Sequence, residues 1–183
     1  MLRDDSGGTA KSVVFSQFTS FLDLIQIPLN LSGIKVTRQS KNEHFLKRRS
    51  NVHQQYLRLD GTMSQQTRET ALASFNSDNE TQVFLISLRA GGVGLNLTSA
   101  QNVFLMDLWW NPAVEQQAVD RVHRIGQTRE VHVKRFVVRG TVEERMLGLQ
   151  SRKKLLSETA LRSNGASKED AQMRIEDMKQ LFA

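Results

Sequence analysis

Short apolar segments that alternate with helical segments constrain the fold of this chain most. Segments 83–87 and 102–108 are apolar almost throughout, which is typical of strands covered on both faces. Further elements are predicted as strands at 11–15, 56–59 and 131–138, a strand entry at 32–38, and helices at 20–31 and 64–75. This alternation favours an α/β fold, in which helices on both faces cover a parallel sheet and the crossovers are right-handed. Ligands of such sheets bind beyond the carboxyl ends of the strands.

Helices without strands are predicted after Gly140. Apolar residues follow helical spacing in two segments, Val142 to Leu156 and Ala171 to Phe182, which a polar link at 163–167 joins. We therefore expect a flexible N-terminus at 1–10, an α/β lobe at 11–140 and a C-terminal helical brace at 141–183 that packs against the sheet.

A polar segment from Gln39 to Gln55 interrupts the approach to the strand at 56–59. It contains Lys47, Arg48 and Arg49 and little that a core could bury, so we interpret it as an extruded loop or a disordered insertion. The alternatives are a nucleic-acid or import patch and a sequence artefact, such as a retained non-coding segment.

Composition narrows the classes of partner and site. Twenty-five Lys and Arg against nineteen Asp and Glu give the 183 residues a formal charge of +6, which favours a polyanionic partner. Nucleic acid is the favoured polyanion because no lipid-binding pattern occurs. The absence of cysteine excludes disulfides and thiolate metal sites, and the four histidines lack metal-ligand spacing, so no metal site is predicted. No apolar run approaches about 18 residues and no secretory signal is seen, so we expect an intracellular protein without a membrane span.

The segment from Gln117 to Gln127 carries the side chains best suited to phosphate. Gln117, Arg121 and Arg124 stand at i, i+4 and i+7, which makes one polar stripe on a helix that begins at Pro112. Three apolar residues form the opposite face, which a core would bury: Ala118, Val122 and Ile125. Arginine keeps its charge and offers a planar fork to phosphate oxygens. A solvated helix face is the alternative for an isolated arginine pair.

A glycine-rich turn directly follows the strand at 83–87. Gly91, Gly92 and Gly94 let the backbone turn sharply and bring its N–H groups close to a phosphate or ribose, although a simple tight connection needs the same residues. The chain contains no Gly-Lys-Ser or Gly-Lys-Thr sequence and hence no Walker A loop. It therefore lacks a triphosphate cradle of its own.

Polar and aromatic residues follow other strands. The pairs Ser16–Gln17 and Thr98–Ser99 stand at predicted strand ends, where they could bond phosphates or cap the following helices. Trp109 is interpreted as a core or interface anchor. Trp110, nearer the helix start, could instead press on a nucleic-acid backbone or groove.

Five motifs occur together and in a fixed order: Val13-Val-Phe-Ser-Gln-Phe18, Leu57-Arg-Leu-Asp-Gly61, Ser87 to Thr98, Trp110-Asn-Pro112 and Asp120-Arg-Val-His-Arg-Ile-Gly-Gln127. This set resembles the second, carboxyl-terminal RecA-like lobe of SWI/SNF-type DNA translocases in helicase superfamily two. Residues 15–25, together with Ile27 and Pro28, and residues 142–147 are similar to the branch of the helicase-like transcription factor and its postreplication-repair relatives. The resemblance implies a RecA-like parallel sheet.

The resemblance also implies roles in ATP hydrolysis. Arg121 and Arg124 would be arginine fingers that reach the γ-phosphate of Mg-bound ATP, Gln117 would orient them, and Gly92 and Gly94 would approach the nucleotide. The ATP would be held mainly by a first RecA-like lobe, in cis or in trans. The chain would thus be part of a DNA-dependent ATP hydrolase and inactive without that lobe.

DNA contacts, mainly to the backbone, are implied at seven matching positions: Ser16, Gln17, Arg58, Ser87, Arg89, Thr98 and Trp110. Arg89 stands where the family commonly has Lys, a change that keeps the charge. The implied partner is double-stranded DNA or a nucleosome, and the implied location is the nucleus. A non-catalytic DNA- or protein-binding module and a truncated gene fragment are the alternative interpretations.

Overall fold

The computed structural model describes residues 10–36, 55–90 and 94–160. Strands and helices alternate along the chain in the following order: β1 (Ser12–Ser16), α1 (Thr19–Leu31), β2 (Lys35–Val36), β3 (Gln55–Leu59), α2 (Gln65–Ser77), β4 (Thr81–Ser87), β5 (Asn102–Leu105), α3 (Pro112–Val119), β6 (His132–Arg135) and α4 (Val142–Ala160).

The strands form one parallel sheet in the order β2-β3-β4-β1-β5-β6, with β4 and β1 at its centre. Ser16 lies opposite Ser87 at the carboxyl ends of the two central strands, and Phe15 lies opposite Leu105 of β5. The predicted parallel α/β sheet is confirmed, and the strand entry at 32–38 corresponds to β2. Gln55, which the sequence pattern assigns to the insertion, is instead the first residue of β3.

Alternating strand residues supply two hydrophobic cores, one on each face of the sheet. Phe84 belongs to the core under α2 and packs against Phe75, with ring centroids 5.0 Å apart. Leu85, the next residue of β4, packs on the other face with Leu22 of α1. Full burial of such a side chain contributes about 1.5–3 kcal/mol. Both cores therefore hold the central strands in place, and the prediction of helices on both faces is confirmed.

Two helices are capped at their amino ends by a side chain that accepts a hydrogen bond from a free N–H group of the first turn. The Ser64 side chain caps α2 by accepting from the N–H of Thr67 at 3.3 Å, and the Asn111 side chain caps α3 by accepting from the N–H of Ala113 at 3.1 Å. Pro112 is the first residue of α3, as predicted, because its missing N–H and fixed φ suit that position.

The helix that was predicted to carry the arginines ends before it reaches them, so the prediction of one helical stripe is wrong. α3 stops at Val119, before Arg121 and Arg124. The carbonyl of Arg121, which a continuing helix would offer to the N–H four residues on, accepts instead from the backbone N–H of Leu97 at 3.0 Å. Gly126 then has a φ of 101°, a left-handed conformation that glycine adopts without strain.

The apolar face of that predicted helix is only partly realised. Ala118 and Val122 are buried, at 4% and 0% exposure, but Ile125 is fully exposed at 101%. Since the backbone leaves the helix at Val119, the 3.6-residue period no longer decides which way Ile125 points.

The first C-terminal helix is present as α4, which confirms the helical spacing from Val142 onward. Its first turn is held by two carboxylates. Glu143 accepts from the backbone N–H of Val138 at 2.7 Å, and Glu144 accepts from that of Gly140 at 3.0 Å. These bonds fix the direction in which α4 leaves β6.

Several interpretations fall on residues outside the described ranges: the N-terminal segment 1–9, the insertion at 39–54, Gly91 and Gly92, the polar link 163–167 and the segment Ala171 to Phe182. Within the described ranges, none of the helices has the length and apolar character needed to cross a membrane.

Candidate functional site

The carboxyl ends of β1 and β5 are joined through a buried carboxylate. Asp107 accepts a hydrogen bond from the Ser16 hydroxyl and another, at 2.9 Å, from the backbone N–H of Gln17. The Gln17 side-chain amide donates to the carbonyl of Leu108 at 2.9 Å. Ser16 and Asp107 are 0% and 5% exposed, whereas Gln17 is half-buried. The Ser16 hydroxyl is therefore used inside the protein, and Gln17 is the accessible member of this group.

Burial raises the pKa of the Asp107 carboxyl above its ordinary value. The hydrogen bonds from Ser16 and Gln17 favour the ionised form and oppose this increase, while the negative charges of Glu143 and Glu115 add to it. The folded chain therefore binds a proton at Asp107 more readily than the unfolded chain does.

A second group surrounds the end of β4. Ser87 is buried, at 3% exposure, and the N–H of the next residue donates to the carbonyl of Ser16 at 2.9 Å. Arg89 is exposed, and its guanidinium carbon lies 5.7 Å from the ring centroid of Trp109, a cation–π geometry. Trp109 packs against the core, as predicted, and Trp110 is 39% exposed. The accessible side chains here are therefore Arg89 and Trp110.

The guanidinium of Arg58 is held by its own neighbours. It donates to Asp60 at 2.9 Å, to the exposed carboxylate of Asp23, and to the carbonyl of Thr19 at 3.4 Å. Burial alone would lower the pKa of Arg58, but the hydrogen bond and charge of Asp23, together with those of Asp60, raise it. A DNA phosphate at Arg58 would have to compete with Asp23.

Two segments that are distant in the sequence lie side by side. We call residues 120–127 the arginine segment and residues 94–100 the glycine-turn loop. The N–H of Leu97 bonds the carbonyl of Arg121, which joins the two segments through their backbones.

Gln127 strengthens this contact with its side chain. Its amide nitrogen donates to the carbonyls of Thr98, at 2.9 Å, and Ala100, at 2.8 Å, while its carbonyl oxygen accepts from the N–H of Arg129 at 3.1 Å. Arg129 in turn donates to the carbonyl of Ser99 at 2.9 Å. The N–H groups of residues 120–123 donate to carbonyls of α3 and hold the start of the arginine segment, and the tertiary hydrogen bonds hold the segment against the glycine-turn loop.

The predicted phosphate ligands differ in accessibility. Arg124 is exposed, Arg121 is half-buried, and Gln117 is exposed on α3, where it lines an open surface depression. Gly94 has a φ of 57° with no atom near an added Cβ, so a side chain there would be strained although space exists. The structure thus brings Arg121 and Arg124 beside the loop that carries Gly94, whereas Gln117 belongs to α3.

The predicted DNA ligands form two groups. Six belong to the carboxyl-end halves of β1, β3 and β4 or to the loops that follow β1, β4 and β5: Ser16, Gln17, Arg58, Ser87, Arg89 and Trp110. Thr98 lies elsewhere, since Gln101, three residues on, donates its N–H to the carbonyl of Lys11 at the amino end of β1. Thr98 therefore accompanies the arginine segment rather than the strand ends.

Glu115 is a central residue that the sequence interpretation missed. It is 0% exposed; one carboxylate oxygen accepts from the backbone N–H of Trp109 at 2.7 Å and from the side chain of Gln150 at 2.9 Å. The other oxygen forms an ion pair with Arg135 at 2.9 Å. Glu115 thereby links α3, α4, β6 and the loop at residues 109–111, which we call the tryptophan loop. An acidic residue in the first turn of a helix ordinarily indicates only compensation of the helix dipole. The burial of Glu115 is therefore not visible in the sequence.

Among the described residues, no group of three or more His, Asp and Glu side chains could hold a metal ion. Asp107 and Gln127 were also given no role by sequence reasoning. A carboxylate directly after an apolar strand could have suggested the first, and Gln127 ends the motif from Asp120 to Gln127.

Known proteins resemble this chain over most of its length. Residues 2–126 match the family described as helicase conserved C-terminal domain. The chain is 50% identical over 173 residues to DNA repair protein RAD5A of Arabidopsis thaliana, which covers 94% of this chain and 14% of that protein. It is 48% identical to DNA repair protein rad8 of Schizosaccharomyces pombe, over 94% of this chain and 13% of that protein. It is 38% identical to helicase-like transcription factor CHR28 of Arabidopsis thaliana, over 97% of this chain and 16% of that protein.

A solved structure, the C-terminal part of the Fun30 ATPase domain, matches with a TM-score of 0.64 and 32% identity, over 77% of this chain and 39% of that chain. The RecA-like character of the sheet is thus confirmed. The chain spans only 13–16% of the length of these curated relatives. It belongs to the helicase conserved C-terminal domain family, and within it to the RAD5 and helicase-like transcription factor type of SWI/SNF helicases.

Proposed function

We propose that this chain is the second motor lobe of an ATP-dependent DNA translocase and supplies its arginine fingers. One observation carries the proposal: the arginine segment is held against the glycine-turn loop through the backbone of Arg121 and the side chain of Gln127, while Arg124 remains exposed. A fixed backbone limits the reorganisation that guanidinium groups need before they stabilise the charge that develops on a transferring phosphoryl group.

In this role the triphosphate is presented by a first lobe, in cis or in trans. Arg121 and Arg124 reach its γ-phosphate, Gln117 orients them from the adjacent turn of α3, and Gly92 and Gly94 allow the backbone to approach the nucleotide. Mg²⁺ bound with ATP would neutralise part of the phosphate charge. The cationic character of the arginine segment suits the phosphate side of such a site, and the metal is assigned to the first lobe.

The strand-end side chains are proposed to grip the DNA backbone as the cleft between the lobes opens and closes. Gln17, Arg89 and Trp110 are accessible for this purpose, and the net charge of +6 favours a polyanion. Buried Ser16 and Ser87 would act by shaping the backbone at the strand ends. Since the curated relatives are DNA repair proteins, we propose double-stranded DNA or a nucleosome as the partner and the nucleus as the location.

A stand-alone, non-catalytic DNA-binding module is the second candidate, because the chain has no Walker A sequence. ATPase assays of the purified chain separate the two. We expect no turnover from the chain alone, with or without DNA, and DNA-stimulated turnover when a first lobe is added. Turnover by the chain alone would contradict its assignment as half a site, and DNA binding without turnover in the reconstituted pair would favour the module.

A further inference from the structure

The backbone of Trp109 is held at both its N–H and its carbonyl by side chains from two helices. Its N–H donates to Glu115 of α3 at 2.7 Å, and its carbonyl accepts from the amide of Gln150 of α4 at 2.7 Å. The same amide nitrogen donates to Glu115 at 2.9 Å. Glu115 and Gln150 are 0% and 6% exposed. Such a buried network is rigid when its members are satisfied and costly when one is removed.

The residues that follow this peptide are accessible and begin α3. Trp110 is 39% exposed, and Asn111 caps α3 through the N–H of Ala113. The position of the Trp109 peptide therefore sets where Trp110 lies and where α3 starts. α3 leads directly into the arginine segment.

We propose that Glu115 and Gln150 are positioning residues that make the tryptophan loop, residues 109–111, follow helix α4. A displacement of α4 would be transmitted by Gln150 to Trp109 and thus to Trp110. The link between the helices and the loop stands on the contacts alone. The effect of this link on DNA binding rests on the proposed function, because it is the proposed function that brings Trp110 into contact with DNA.

Intrinsic fluorescence reports on this loop directly, since Trp109 and Trp110 are the only tryptophans in the chain. Gln150→Leu removes both hydrogen bonds that the Gln150 side-chain amide donates. In this variant we expect a shift in the tryptophan emission maximum and stronger quenching by acrylamide, with an unchanged far-ultraviolet circular dichroism spectrum. The control Gln66→Leu, at an exposed position of α2, should leave both signals unaltered. Unchanged emission and quenching in Gln150→Leu would overturn the proposal.

Gly148 provides a matched pair of variants within α4. It is exposed, and a Cβ added there meets no atom within 4 Å. Gly148→Ala should preserve the helix and the tryptophan signals, whereas Gly148→Pro breaks the helix before Gln150 and should reproduce the effect of Gln150→Leu. A tryptophan signal in Gly148→Pro that matches the unmodified chain would show that the loop does not follow α4.

The affinity for a labelled DNA duplex separates the two proposals. If the proposed function holds, Gln150→Leu should weaken DNA binding about tenfold, and adding Trp110→Ala to it should cost much less than Trp110→Ala alone, because both changes act through one loop. Additive losses would contradict a positioning role. If the unmodified chain does not bind the duplex, the proposed function fails, and the fluorescence comparison still decides the link to α4.

Discussion

The backbone N–H of Leu97 donates to the carbonyl oxygen of Arg121 at 3.0 Å. The Arg121 carbonyl, which would accept from the N–H four residues on in a continuing helix, is used in this bond instead. The bond places the chain at Arg121 beside the glycine-turn loop. The arginine segment is thereby fixed against this loop as well as against α3, to whose carbonyls the N–H groups of residues 120–123 donate.

Arg124→Ala and Arg121→Ala should each nearly abolish DNA-stimulated ATP hydrolysis by the reconstituted pair of lobes. Loss of an arginine finger costs roughly a thousandfold or more in such reactions. The turnover number is measured at saturating DNA and ATP, with Arg139→Ala, an exposed arginine before α4, as the control. Hydrolysis that survives either substitution would remove the role assigned to the arginine segment.

Gln127→Ala should destabilise the chain by about 1–3 kcal/mol, because the carbonyls of Thr98 and Ala100 lose their shared donor. Urea unfolding followed by circular dichroism measures the change. The matched control is Gln116→Ala, because the Gln116 side-chain amide donates only to the exposed carboxylate of Asp120. This substitution should lower the free energy of unfolding by less than about 0.5 kcal/mol. Equal losses in the two variants would indicate that the two segments are joined mainly by other contacts.

Asp107→Asn should alter the pH dependence of stability. Because the folded pKa of Asp107 is raised, its contribution to stability is fully present below the unfolded pKa, at about pH 4, and is lost as the pH rises through the folded value. The unfolding free energy of the unmodified chain, minus that of Asp107→Asn, should therefore fall from pH 4 toward pH 7. A difference that is flat or rises with pH would show that the hydrogen bonds from Ser16 and Gln17 outweigh burial.

Asp23→Asn should strengthen DNA binding about threefold if Arg58 contacts the backbone, because it releases a guanidinium that Asp23 now holds. Glu69→Gln, an exposed charge on α2, controls for the loss of one negative charge. The gain should vanish when Arg58→Ala is combined with Asp23→Asn. A gain that persists in the double variant would assign the effect to general charge and leave Arg58 a structural residue.

DNA binding should be weak, independent of base sequence and steeply dependent on salt, because contacts to phosphates dominate. In anisotropy titrations between about 50 and 200 mM salt, Arg89→Gln should reduce the slope of log affinity against log salt by about one. Trp110→Ala should lower the affinity and leave the slope unchanged, since the side chain carries no charge. Affinity that follows base sequence would count against this interface.

The fold was predictable because its signals are local or periodic. The strands β4 (Thr81–Ser87) and β5 (Asn102–Leu105) follow from apolar runs, and the start of α3 at Pro112 follows from the preference of proline for the first helical position. The elements of the site were also visible as motifs. The helical stripe was not realised, since a periodic pattern at 117–124 carries no information about a competing partner at Leu97.

The sequence by itself determined the parallel α/β sheet, the start of α3 at Pro112 and the membership of the helicase family, because these depend on residue order and spacing. Only the tertiary structure decided that Arg121 and Gln127 join the glycine-turn loop, that Arg58 is held by Asp23, and that Glu115 is buried at the junction of four elements. Each of these rests on hydrogen bonds between distant segments. The packing of these segments decides which partners meet, and the local pattern along the chain does not encode it.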